Sequence, residues 1–87
     1  MVRTDISLEY LVVIKKREVM KIRDLKKEFN LDDETVNELY VQQWKQLPSV
    51  VNFMPGQGVY EFARAYEMKS DMAYSMLKHE LEMKRSG

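Results

Sequence analysis

Residues 21–44, KIRDLKKEFNLDDETVNELYVQQW, hold two runs of helical periodicity separated by a single break. Ile22, Leu25 and Phe29 fall at i, i+3 and i+7, which makes one apolar face of a helix. Asn30 follows, a residue that tolerates the left-handed conformation closing a helix, and then Leu31. Asp32 or Asp33 suits the cap of a further helix, and Glu34 sits favourably near the positive end of its dipole. That second run carries Val36, Leu39, Tyr40, Trp44 and Leu47 and stops before Pro48. The chain is thus expected to turn a tight corner between two helices.

The flanking segments read less sharply. Thr4 or Asp5 can cap a first helix over about residues 5–17. Its middle, YLVVI, is apolar on nearly every side and is expected to be a central element touched from more than one direction. Val19-Met20-Lys21 fits a brief strand. Beyond Pro48 the runs SVVNFM and VYEFA flank PGQG and read as a β-hairpin, with Pro55-Gly56 suited to a type II turn. Val51 and Phe53 would line one strand of it, Tyr60 and Phe62 the other. Residues from about 63 to 84 form a last helix without breakers.

Composition narrows the function classes. The chain has 87 residues, 45% hydrophobic and 32% charged, which is ordinary for one small globular domain. Its longest apolar run is the five residues Tyr10–Ile14, far short of a membrane span, and Asp5 and Glu9 interrupt any leader-like stretch. A cytoplasmic location without membrane contact is expected. There is no cysteine, and the single histidine, His79, has no nucleophile beside it. A metal centre, a cofactor or catalysis is therefore not expected. Basic and acidic residues number 14 each, but unevenly: residues 15–27 hold seven basic against two acidic, residues 28–47 five acidic against one basic.

The order helix, strand, helix, helix, hairpin, helix resembles a winged helix-turn-helix domain across nearly the whole chain. The residues that carry the resemblance are Leu25, Phe29, Leu31, Val36 and Leu39 around Asn30, where the family usually has Gly. It implies a mainly α fold with a small β-hairpin, of the α+β class, in which the third helix reads duplex DNA. Lys21, Arg23, Lys26 and Lys27 would then contact phosphates. Thr35, Asn37, Gln42, Gln43 and Lys45 on the third helix, and Gln57 at the wing tip, would supply the remaining contacts. Asp32, Asp33 and Glu34 at the start of that helix oppose this reading, because binding gains mainly by neutralising phosphates.

The last helix carries two apolar registers, one including Met72 and Met76, the other Tyr66, Ala73, Leu77 and Leu81. Such a width exceeds what one small domain covers, so a homodimer through this helix is expected, with Leu77→Glu giving monomers. Folding of that helix over YLVVI within one monomer is the alternative. The function expected is a small dimeric DNA-binding protein, a transcriptional regulator or a plasmid or viral DNA-organising factor. A protein-interaction module that binds no DNA is the competing expectation.

Overall fold

The structure is a computed structural model that describes the backbone of residues 2–54 and 56–86 and the side chains of residues 9–54 and 56–85. Three α-helices make up the fold: α1, Val2–Glu28; α2, Asp33–Gln46; and α3, Val59–Ser86. A 3₁₀ turn, Val50–Phe53, joins α2 to α3 and packs on α3. No strand occurs among the described residues.

The corner between α1 and α2 forms as its sequence indicates. Asn30 takes φ 55°. The Leu31 amide donates to the Lys26 carbonyl at 2.9 Å and the Asn30 amide to that of Lys27 at 3.4 Å, the paired bonds of a Schellman ending. Asp32 caps α2, its carboxylate accepting from the Thr35 amide at 3.0 Å. The Thr35 hydroxyl first and its amide second hold the Asp32 carboxyl below its usual range. α2 ends at Gln46, ahead of Pro48.

Two segments depart from the sequence expectation, and with them the α+β winged fold. Val19-Met20-Lys21 is not a strand; it lies inside α1, which runs unbroken through Thr4, Asp5 and the anticipated end at residue 17. A β-branched Val costs a helix only a few tenths of a kcal/mol, and residues 15–23 hold neither Gly nor Pro. Continuity places Ile14, Glu18 and Leu25 on one inner face, with Leu25 fully buried.

The hairpin is absent too. SVVNFM becomes the 3₁₀ turn, and VYEFA forms the first turns of α3. A lone two-stranded ribbon is marginal in water, and no third strand occurs among the described residues to support it. The helical alternative buries Ala63 and Ala65 completely. Gly58, at φ 131°, turns the backbone into α3 and accepts the Phe62 amide at 3.0 Å. Of the expected type II turn, Pro55 lies outside the described residues. With no hairpin there is no wing, and Gln57 is an exposed residue of the bend before α3.

α1 and α3 lie parallel, because their paired residues ascend together. Tyr10 stacks on Tyr60, Lys21 bonds Asp71, and Glu28 pairs with Arg85. α2 runs back between them, tying Asp33 to Lys26 at its start and setting Trp44 against Tyr66 near its end. Leu25, Val36, Tyr40, Ala73, Leu77 and Leu81 form the core where the three helices meet. At 1.5 Å per residue α1 and α3 are each about 40 Å long and α2 about 20 Å. The middle helix therefore spans half the length of its neighbours. The molecule measures 51 × 23 × 18 Å.

Candidate protein-docking surface

The interior holds one polar knot, centred on Glu18 of α1. One carboxylate oxygen accepts from the Tyr66 hydroxyl at 2.7 Å; the other accepts from Tyr40 and, at 3.3 Å, from Ser70. The Lys15 ammonium donates to the Tyr66 hydroxyl at 3.1 Å and reaches Glu18 at 4.0 Å. Lys69, also buried, lies over the Trp44 ring at 4.6 Å. Every buried side-chain polar atom described has a partner. The knot joins all three helices and is structural in character: its carboxylate is fully engaged by hydroxyl donors.

Burial pushes the Tyr40 hydroxyl well above its ordinary value of 10.0, and its bond to Glu18 pushes the same way. Burial and the Glu18 bond also raise Tyr66, which Lys15 partly offsets. Both phenols thus hold their protons more tightly folded than unfolded. Their contribution to stability is complete below pH 10.0 and is lost as the pH rises above it. The urea midpoint is expected to fall between pH 9.5 and 11.5, and to fall less in a Tyr40→Phe/Tyr66→Phe variant. Equal slopes in the two proteins would show that the phenols ionise in the fold as they do in the open chain.

The residues expected to touch DNA do not form one free surface. Lys21 is bonded to Asp71 at 2.6 Å and Lys26 to Asp33 at 2.6 Å. Gln43 is buried and donates to Glu80 at 2.6 Å. The Thr35 amide serves the cap of α2. Arg23, Lys27, Asn37, Gln42, Lys45 and Gln57 remain exposed, distributed over α1, α2 and the bend before α3.

Of the residues expected at a dimer interface, Ala73, Leu77 and Leu81 are buried inside the single chain. Tyr66 is half-buried in the polar knot, Met76 is half-buried, and Met72 is exposed. α3 thus packs on α1 within one chain, and the apolar residues it leaves to solvent include Phe62, Met68, Met72 and Met83.

One feature is foreshadowed in the sequence only by YLVVI. Of that run, Ile14 is buried at 3% exposure, but Val12 and Val13 stand 51% and 43% exposed. Further along the same helix Val19 is 53% and Met20 62% exposed. Leu11, Val12, Val19 and Met20, with Lys15, Lys16 and Arg23 between and beyond them, line an open depression of about 530 Å³. Its lining includes no acidic residue. A second, smaller depression adjoins it at Val19 and Arg23 and leads past Ile22 to α2, where Val36, Asn37 and the Lys26–Asp33 pair form the opposite wall.

The arrangement has a simple origin. α1 is apolar on more sides than two neighbouring helices cover: α2 and α3 pack on the side of Ile14, Glu18 and Leu25, and Val12, Val19 and Met20 lie opposite. Among the described residues no helix is long and apolar enough to cross a membrane, and no group of three His, Cys, Asp or Glu side chains is placed to hold a metal. No family model, curated protein or solved structure matches the chain.

Proposed function

We propose that this chain is a helical protein-interaction module that docks a partner on the outer face of α1. The observation behind this reading is the apolar row Val12, Val19 and Met20, left in water on one side of a helix and framed by cations. A patch of this kind on a small protein marks a binding surface more often than chance exposure does. Lysine and arginine at its edges keep their heads in solvent while their stems extend the apolar area.

Duplex DNA is the second reading, favoured by Lys16, Arg23 and Lys27, which share one face of α1 and enter no ion pair among the described residues. Four of the seven cations of residues 15–27 are engaged within the chain: Lys15, Arg17, Lys21 and Lys26. The apolar centre of the face also gains nothing from phosphates.

Photo-crosslinking in cells separates the two. A photoreactive residue at position 12 or 20 is expected to give discrete adducts that survive nuclease and vanish with protease, while one at Lys45 gives none. Nuclease-sensitive adducts, or none from positions 12 and 20, would remove the proposal.

A further inference from the structure

We infer that the partner segment on this face is an amphipathic helix carrying carboxylates beside its apolar row; the inference rests on the docking reading above. Layers alternate along α1: Val12, then Lys15 and Lys16, then Val19 and Met20, then Arg23. Val12, Val19 and Met20 stand at i, i+7 and i+8, the spacing by which one helix presents a row to another. From Val12 to Arg23 the face is about 17 Å long, which matches three turns of a partner helix.

Charge selects the occupant. The lining is apolar and cationic only, so a second copy of the same face would bring six like charges together, whereas carboxylates placed between apolar anchors would meet Lys15, Lys16 and Arg23 in turn. An anionic lipid surface fits less well. Glu9 lies two turns before Lys16 and Asp24 one turn after Met20, both exposed, so a flat anionic layer on this side would meet them as well.

The test uses the full chain and a fluorescent 18-residue helical peptide with leucines at i, i+3, i+7 and i+10 and glutamates flanking them. A companion peptide replaces each glutamate with lysine. The acidic peptide is expected to bind at least tenfold tighter, with amide shifts confined to residues 11–23 and the facing residues of α2. Lys16→Glu/Arg23→Glu, both on exposed positions, is expected to reverse the preference, and Met20→Asp to weaken the acidic peptide tenfold or more while leaving the helical circular dichroism unchanged.

Equal binding of the two peptides, no binding, or shifts that map to α3 would overturn the inference. So would sedimentation with phosphatidylglycerol vesicles that the acidic peptide cannot displace, or light scattering showing a dimer that this peptide leaves intact. A protein adduct at position 20 together with indifference to peptide charge would retain the docking reading and remove the acidic helix. Absence of both adduct and peptide binding would remove the two together.

Discussion

Leu77→Glu is expected to unfold the domain rather than to divide a dimer. Leu77 is fully buried against Leu25, Val36, Tyr40, Ala73 and Leu81, at the point where all three helices meet. Truncating a leucine in such a place costs about 2–5 kcal/mol, and a carboxylate there adds several more for desolvation. Domains of this size hold about 5–10 kcal/mol in total, so the sum is comparable with all that is available. Circular dichroism at 25 °C should show the helical signal lost. Leu77→Ala should remain folded, with its unfolding free energy in urea lowered by about 3 kcal/mol. A soluble, fully helical Leu77→Glu protein of half the wild-type mass would place Leu77 between subunits and contradict the core described above. Met76→Glu, on a half-buried position of the same helix, is the companion: it should keep its helices.

Glu18→Leu is expected to cost about 3 kcal/mol, and removing the hydroxyls as well is expected to recover most of it. The substitution alone removes the acceptor that Tyr40, Tyr66 and Ser70 share; Tyr40 and Ser70 keep each other at 2.8 Å, so one of that pair and Tyr66 are left with no acceptor. Each stranded buried hydroxyl costs about 1–3 kcal/mol, whereas apolar groups of the same shape throughout are close to neutral. Glu18→Leu/Tyr40→Phe/Tyr66→Phe should therefore be more stable in urea than Glu18→Leu, although it carries more changes. A triple variant less stable than the single one would show that the hydroxyls contribute independently of Glu18. The comparison also decides what the knot does. Recovery of stability would mark it as a device that fixes how α1, α2 and α3 meet, since an apolar cluster would hold them as firmly.

Glu18 illustrates how a residue escapes a sequence reading. Ile14, Glu18 and Leu25 share a helical face, and on a continuous α1 that face points inward. Interrupting the helix at residue 17 with a strand at Val19-Met20-Lys21 breaks the series, and Glu18 is then only an acid in a basic block. The same interruption hides the exposed apolar row, because Val12, Val19 and Met20 line up only when α1 is unbroken. Lys21 and Lys26 show the reverse case. Their charge is plain in the sequence, but Asp71 and Asp33, which engage them, are 50 and 7 residues away.

The last helix was legible as a helix, and its apolar width was legible as a demand for partners. Which partner was not. Ala73, Leu77 and Leu81 have the composition of either a core or a dimer seam, and only the fold of α3 along α1 decided between them for this chain.

The corner at residues 22–47 follows from its local residues alone. Asn30 in its left-handed conformation and the Asp32 cap act through bonds to amides and carbonyls within a few residues, so their outcome depends on nothing distant. Tertiary structure alone decided the continuity of α1 through Val19, the helical fate of VYEFA and the burial of Glu18. Local preference in those segments is worth only tenths of a kcal/mol per residue, and burial against other helices is worth several times that. The exposed row on α1 belongs to the second group: it exists because α2 and α3 both pack on the side of α1 that carries Ile14, Glu18 and Leu25, and the opposite side is left to water.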